Sequence, residues 1–188
     1  MTVTGAIFCG GKSSRMGRDK ASLALSNRPM VQWVAEAISA AGIERIYTLG
    51  GPAHNDLASI PDSNPHAGPL SALVGAVEVL GDVFVCPCDV PLISVDLVKK
   101  IIAVGKETEK SVVLAQSDYL QPLIGLYKES SAIMLRTGYE QGARGPKELL
   151  THEVFETVKA NENEVRNVNT PEDLRRAMDF LKASKSQR

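Results

Sequence analysis

Short apolar runs alternate with segments of helical periodicity along most of the chain, and this alternation restricts the fold more than any other feature. Such an order is typical of an α/β protein with a mostly parallel sheet. The predicted strands are 2–9, 43–49, 82–88, 111–116 and 120–128. The predicted helices are 29–42, 69–80, 94–105, 129–137 and 170–185. Pro122 predicts that the last strand is bulged or lies at an edge of the sheet, because proline cannot donate to a ladder.

Hydroxyl side chains that can cap a helix stand at the start of two predicted helices. Ser94 is expected to cap the helix over 94–105. Thr170, with Asp173 three positions later, predicts a close relative of the capping box at the start of the last helix. A polar loop, GYEQGARGPK, is predicted over 138–147.

Size, charge and cysteine content narrow the functional classes. The 188 residues are predicted to form one domain, spanning 1–188. A net charge of −1 does not indicate a general binder of nucleic acids or membrane surfaces, so any anion site must be local. The apolar runs are shorter than a membrane span of roughly 18 residues, and the N-terminal run is predicted to be a strand rather than a signal peptide. An odd number of cysteines, three, argues against a disulfide framework and favours a reduced, cytoplasmic protein.

The segment GGKSSRMGRDK, residues 10–20, follows the first predicted strand and combines glycines with basic side chains. Glycines there allow backbone N–H groups to approach phosphate oxygens. Arg15 can donate two parallel hydrogen bonds to a phosphate, and Lys20 supplies a compact positive charge. The spacing does not fit a P-loop, which requires a glycine where the chain has Ala6. We therefore predict a phosphate site of another kind, with a solvated basic turn as the alternative.

Polar residues also follow other predicted strands. Asp89 comes directly after strand 82–88, and ligands of open parallel sheets bind beyond the carboxyl ends of strands, so it is expected to face the same crevice as the glycine-rich segment. A carboxylate there suits Mg²⁺, which takes one or two carboxylates together with substrate phosphates. Asp62 is a further candidate, with an ordinary turn residue as the alternative. Asn167 and Asn169 lie two positions apart, so within a strand they would face the same way.

Taken in order, these segments resemble the molybdenum cofactor guanylyltransferases. The opening signature of that family is similar to GGKSSRMGRDK, and its later motifs are similar to GPLSAL, CPCDVPLI, QPLIGLY and NVNTPEDL. The resemblance covers residues 4–180 and implies a three-layer Rossmann-like nucleotidyltransferase fold with helices on both faces of the sheet. It also implies transfer of GMP from GTP to molybdopterin, Mg²⁺ as cofactor, and transient contact with proteins that mature molybdoenzymes.

The resemblance also assigns roles to residues at matching positions. The nucleotide-binding residues that it implies are Phe8, Cys9, Gly10, Gly11, Lys20, Asp62 and Asp89. The catalytic residues are Arg15, Lys20 and Asp89, of which Asp89 would hold the Mg²⁺. Asn167 and Asn169 are expected on the acceptor side. Arg144 and Lys147, in the loop GARGPK, are candidates for holding the acceptor phosphate, with a solvated basic turn as the alternative.

Three other functions stay open at this stage. A related nucleotidyltransferase, such as a molybdopterin cytidylyltransferase, would use CTP or another phosphorylated acceptor. Those relatives tend to carry Pro-Lys where this chain has Asp19 and Lys20. A P-loop ATPase is disfavoured by the glycine spacing. A non-catalytic nucleotide-binding subunit is disfavoured by the presence of both Lys20 and Asp89.

Overall fold

A seven-stranded sheet forms the centre of the structure, a computed structural model that describes residues 1–10, 24–50, 54, 57–60 and 68–186. The strands in chain order are β1 (Thr4–Phe8), β2 (Ala24–Leu25), β3 (Arg28–Pro29), β4 (Ile46–Leu49), β5 (Ala58–Ile60), β6 (Val83–Pro87), β7 (Val112–Gln116), β8 (Leu120–Tyr127) and β9 (Phe155–Lys159). The helices are α1 (Met30–Ala40), α2 (Pro69–Leu80), α3 (Val95–Glu107), α4 (Ala132–Glu140) and α5 (Pro171–Ser186). Among the described residues, no helix is both long and apolar enough to span a bilayer.

The strand order β5-β4-β1-β6-β8-β7-β9 places β1 between β4 and β6. β1 is parallel to both of these neighbours, β4 is parallel to β5, and β7 is parallel to β9. β8 runs antiparallel to β6 and β7. The predicted mostly parallel sheet is therefore confirmed. Because β1, β4 and β6 run the same way, their carboxyl ends lie along one edge of the sheet, where ligands of such folds bind.

Helices cover both faces of this sheet. Successive strand residues point to opposite faces. In β1, Ile7 belongs to a first apolar cluster that includes side chains of α1 and α3, whereas Ala6 and Phe8 belong to a second that includes side chains of α2 and α4. The resulting three layers are those that the family resemblance implies.

A third apolar cluster joins the β2–β3 hairpin, the start of α1 and helix α5. Its buried members are Leu25, Met30, Val168 and Ala177. Trp33, the one tryptophan of the chain, packs against this cluster, and its indole Nε1 donates to the Leu25 carbonyl oxygen at 3.0 Å. The Arg28 guanidinium lies 4.9 Å from the Trp33 ring centroid. The cluster therefore ties the chain that follows the glycine-rich segment to the C-terminal helix.

Strand β8 departs from its predicted position. It lies inside the sheet, so the edge position suggested by Pro122 is wrong, whereas the bulge is right. The register with β7 jumps from Gly125 opposite Leu114 to Gln121 opposite Ala115. Pro122 falls in the skipped stretch, where its missing N–H breaks no regular ladder bond.

Helix α4 ends later than predicted. It continues to Glu140, so the loop predicted over 138–147 begins too early. Gly138 lies inside the helix, where a Cβ atom would stand only 2.3 Å from Leu149 Cδ2. The glycine therefore permits close packing of the two segments instead of ending the helix.

Both predicted helix caps are present. Ser94 Oγ accepts a hydrogen bond from the Leu97 N–H at 3.0 Å. Thr170 Oγ1 accepts from the Asp173 N–H at 3.1 Å, and Asp173 Oδ2 accepts from the Thr170 N–H at 2.9 Å. The Thr170 hydroxyl, with smaller contributions from the Asn169 and Thr170 N–H groups, lowers the pKa of the Asp173 carboxyl.

Replacing Asp173 with alanine is expected to lower the free energy of unfolding by about 1 kcal/mol at pH 7, because the first turn of α5 loses its cap. Since the pKa of Asp173 is lower in the folded chain, its contribution is present above the ordinary aspartate pKa of about 3.9 and is lost as the pH falls below it. Urea unfolding at pH 7 and at pH 3 measures the difference. Asp179→Ala, at an exposed position of the same helix, is the control. An equal deficit for Asp173→Ala at both pH values would contradict the assignment.

Candidate active site

The carboxyl ends of β1 and β6 lie side by side. Phe8 pairs with Pro87 in the parallel register, and the Cys88 N–H donates to the Phe8 carbonyl oxygen at 3.0 Å. The chain therefore leaves both strands at the same edge, with the glycine-rich segment beginning beside the segment that carries Asp89. This juxtaposition is the one predicted from the order of the sequence motifs.

The turn after β1 passes very close to the end of β4. The Cys9 and Gly10 N–H groups both point at the Leu49 carbonyl oxygen, at 2.9 and 3.2 Å. A Cβ atom on Gly10 would stand 2.1 Å from the Gly50 carbonyl oxygen, which is far inside van der Waals contact. Phe8 is buried in the α2 and α4 layer, while Gly10 is exposed. The glycine is thus required by the approach of two backbones, and it leaves the edge of the sheet open.

Asp89 is buried at this edge and is held by the segment that precedes α5. Its Oδ1 accepts a hydrogen bond from Asn167 Nδ2 at 2.8 Å, and its carbonyl oxygen accepts from the Val168 N–H at 2.7 Å. Asn169 is placed differently, since its N–H donates to Asp173 Oδ2 at 3.1 Å in the cap of α5. The segment over 165–169 is not a strand, so the common orientation expected for the two asparagines is not realised through strand geometry.

Cys86, which belongs to strand β6, lies close to Asp89. Cys86 is fully buried, and burial, followed by the negative charge of Asp89, raises the pKa of its thiol well above the usual range. The thiol therefore stays protonated at neutral pH and packs as a small apolar side chain. We assign it no nucleophilic role.

Arg144 lies against the start of helix α2, and this part of the chain carries the GPLSAL motif. Its carbonyl oxygen accepts a hydrogen bond from the Leu70 N–H at 3.1 Å. Gly68 has a φ of +94°, and a Cβ atom there would stand 2.5 Å from the same carbonyl oxygen. The Arg144 side chain is exposed, with its guanidinium 5.6 Å from the Tyr139 ring centroid.

Lys147 lies elsewhere. With residues of β7 and β9 it lines a cleft of about 520 Å³, whose other members include Gln116, Leu150 and Phe155. β7 and β9 form the end of the sheet that is separated from β1 by β6 and β8. Of the two basic residues of the loop GARGPK, Lys147 lines this cleft and Arg144 does not.

Four residues with predicted roles lie outside the described part of the chain: Gly11, Arg15, Lys20 and Asp62. Their assignments stay predictions. Gly10 and Ala24 are the described residues that stand on either side of 11–23.

Asp89 supplies a group suited to a divalent cation. Mg²⁺ commonly takes one or two protein carboxylates and completes its shell with water and substrate phosphates. Within the described ranges, no group of three or more His, Cys, Asp or Glu side chains is arranged to hold a metal. One buried carboxylate at the strand edge therefore fits a cation that is bound together with substrate phosphates.

The seven-stranded sheet between two helical layers, with a glycine turn after β1 and an aspartate after β6, has the architecture of the Rossmann-like nucleotidyltransferases. Residues 5–158 match the family described as the MobA-like NTP transferase domain, and the chain belongs to this family. The nucleotidyltransferase class expected from the sequence is thereby confirmed.

Three known proteins illustrate the similarity. The chain is 33% identical to the molybdenum cofactor guanylyltransferase of Cereibacter sphaeroides, and the alignment covers 97% of this chain and 98% of the relative. The structure of molybdopterin-guanine dinucleotide biosynthesis protein A from Archaeoglobus fulgidus superimposes with a TM-score of 0.82 at 21% identity, covering 96% of this chain and 99% of that one. Rv0371c of Mycobacterium tuberculosis, solved as a complex with manganese, superimposes with a TM-score of 0.71 at 13% identity, covering 95% and 99% of the two chains.

Sequence analysis placed Asp89 correctly at the sheet edge but missed its contact with Asn167. The two residues are 78 positions apart, and no periodic pattern links them. The available signal was chemical: the NVN segment supplies amide donors, whereas an ionised carboxylate can only accept hydrogen bonds.

Gly10→Ala is expected to lower the free energy of unfolding by about 1–3 kcal/mol, because the added methyl group overlaps the Gly50 carbonyl oxygen and must displace the backbone. Urea unfolding monitored by circular dichroism measures the loss. Gly145→Ala is the matched control, since a Cβ atom there has its nearest neighbour at 3.6 Å and the backbone φ is −125°. Equal stabilities of the two variants would show that the close approach at Gly10 imposes no constraint.

Proposed function

We propose that the protein transfers GMP from GTP to the terminal phosphate of molybdopterin, with molybdopterin guanine dinucleotide and pyrophosphate as products. The observation that carries this proposal is the placement of Gly10 and Asp89 at neighbouring parallel strand ends, where a nucleotide and its cation can be bound together. The name of the Cereibacter sphaeroides relative supports the choice of GTP and of the molybdenum cofactor as acceptor.

The nucleotide is held by the turn after β1. Phe8, Cys9, Gly10 and Gly11 contact it through their backbone atoms, and Asp62 binds the guanosine portion. Because the Cys9 and Gly10 N–H groups already donate to the Leu49 carbonyl oxygen, the contacts of these two residues are made by other backbone atoms of the turn. The exposure of Gly10 at the sheet edge supports this role.

The reaction is an in-line displacement at phosphorus. An oxygen of the acceptor phosphate attacks the α-phosphorus of GTP, a new P–O bond forms, and the bond to the oxygen that bridges to the β-phosphate breaks. Pyrophosphate leaves with the electron pair of that bond. The attacking oxygen is already ionised, so the protein needs neither a strong base nor a covalent nucleophile.

The main barrier to this displacement is the repulsion between anions. Arg15 and Lys20 reduce it by donating hydrogen bonds and positive charge to the phosphates. Asp89 would hold the cation, for which we propose Mg²⁺. A cation held there would supply positive charge that offsets the charge of the phosphates and of the leaving group.

The acceptor is proposed to bind beside the start of α2 and the cap of α5. Arg144 is held at the first of these places by the hydrogen bond from Leu70, and its exposed guanidinium can bind the acceptor phosphate. Asn169 is half-buried at the second place. Lys147 lines the cleft beside β9, and its contact with the acceptor stays a separate proposal.

The reaction is tested by incubating the purified protein with molybdopterin and each of GTP, CTP, ATP and UTP, and measuring pyrophosphate release. Release is expected with GTP, only in the presence of molybdopterin, and it should stop when EDTA removes the cation and resume when Mg²⁺ is added in excess. Preference for CTP would replace the guanylyltransferase with a cytidylyltransferase. Nucleotide binding without any release would instead indicate a non-catalytic binding subunit.

Asp89→Ala and Lys20→Ala are each expected to lower kcat by on the order of 10³-fold or more, because each removes a charge that stabilises the transition state. Single-turnover assays with saturating GTP measure the loss, and circular dichroism checks that both variants are folded. Asp118→Ala and Lys99→Ala, at exposed positions, are the charge-matched controls. A rate within about tenfold of wild type for either test variant would remove that residue from the mechanism.

A further inference from the structure

Two consecutive residues of the C-terminal segment donate hydrogen bonds to Asp89, one to its carboxylate and one to its backbone carbonyl oxygen. Asn167 donates from Nδ2 to Asp89 Oδ1 at 2.8 Å, and Val168 donates from its N–H to the Asp89 carbonyl oxygen at 2.7 Å. Because an ionised carboxylate only accepts hydrogen bonds, the amide nitrogen rather than the amide oxygen of Asn167 faces it. One contact fixes the backbone of Asp89 and the other fixes the direction of its side chain.

The segment that makes these contacts is anchored by the residues that directly follow Asn167. Val168 is 2% exposed and packs with Leu25 and Met30 in the third apolar cluster. Downstream, the N–H groups of Asn169 and Thr170 donate to Asp173 Oδ2 in the cap of α5. The backbone at Asn167 is therefore held in place by its downstream neighbours, although its own side chain is exposed.

We infer that Asn167 is a positioning residue that orients the Asp89 carboxylate toward a divalent cation. This inference rests on the proposed function, in which Asp89 binds that cation. It gives Asn167 a role different from the acceptor contact that the family resemblance implies. Hydrogen-bonded partners of a metal-binding carboxylate fix its orientation, and their loss typically weakens metal binding by about 10- to 100-fold.

The inference also gives the C-terminal part of the chain a share in the site. The match to the family ends at residue 158, whereas Asn167 and Val168 lie beyond it. The cation site is thus completed by a segment that belongs to the α5 end of the molecule and that reaches back to the strand edge.

The test measures binding of Mn²⁺ to the full-length protein in the presence of a GTP analogue that cannot be hydrolysed, by the enhancement of water-proton relaxation over a matched sample of Mn²⁺ and analogue without protein. Asn167→Ala is expected to raise the Mn²⁺ dissociation constant by about 10- to 100-fold. Asn167→Leu, which keeps most of the side-chain volume but has no donor, is expected to do the same. Asn163→Ala, in the same segment, is the control and should bind like wild type, since it is the Asn163 backbone N–H that bonds to Asn161 Oδ1.

Kinetics separate positioning from acceptor binding. For Asn167→Ala we expect a lower kcat that partly recovers at high metal concentration, with the KM for molybdopterin unchanged. A raised acceptor KM with wild-type Mn²⁺ affinity would overturn the inference and make Asn167 an acceptor ligand. An equal loss of Mn²⁺ affinity and of thermal stability in Asn163→Ala and Asn167→Ala would overturn it in favour of a merely structural role.

Asp89→Ala distinguishes failure of this inference from failure of the proposed function. If Asp89→Ala loses Mn²⁺ binding while Asn167→Ala and Asn167→Leu retain it, only the positioning role is wrong. If Asp89→Ala binds Mn²⁺ like wild type, Asp89 is not the cation ligand, and the proposed mechanism fails together with the inference.

Discussion

The parallel pairing of β1 with β6 is the constraint on which the rest of the site depends. The hydrogen bond from the Cys88 N–H to the Phe8 carbonyl oxygen continues the ladder one residue beyond the end of β6. The glycine turn and Asp89 therefore start from adjacent points of a buried sheet. The strand ends from which they start, Phe8 and Pro87, are neighbours in the ladder, and neighbouring strands are spaced roughly 4.8 Å apart.

The far end of the chain adds a second constraint at the same place. Val168 and α5 pack with Leu25 and the β2–β3 hairpin, so the segment carrying Asn167 is fixed to the chain that follows the glycine-rich segment. Asp89 is thus reached by hydrogen bonds from a part of the molecule that the strand order alone does not bring near it. The layered sheet supplies the edge of the site, and the C-terminal cluster determines how its carboxylate is held.

The predictable parts of this molecule are those that local patterns determine. Helix α2 agrees with its prediction at both ends, because its apolar spacing and Pro69 mark it clearly. The hairpin around Ser26 and Asn27 was missed, since strands of two residues show no alternation and its turn relies on left-handed backbone at both residues. The bulge at Pro122 was foreseen, but its place inside the sheet depends on a register jump that propensity cannot reveal. The contact of Asn167 with Asp89 is likewise a tertiary contact between distant segments.

Trp33 is an intrinsic fluorescence probe of its surroundings. Its indole nitrogen is bonded to the Leu25 carbonyl oxygen, in the hairpin that follows the glycine-rich segment, and the chain contains one tryptophan. Tryptophan emission therefore comes from a single known environment, beside the hairpin that follows the glycine-rich segment. A ligand that shifts the hairpin relative to α1 will alter that emission, so occupancy can be followed in unlabelled wild-type protein.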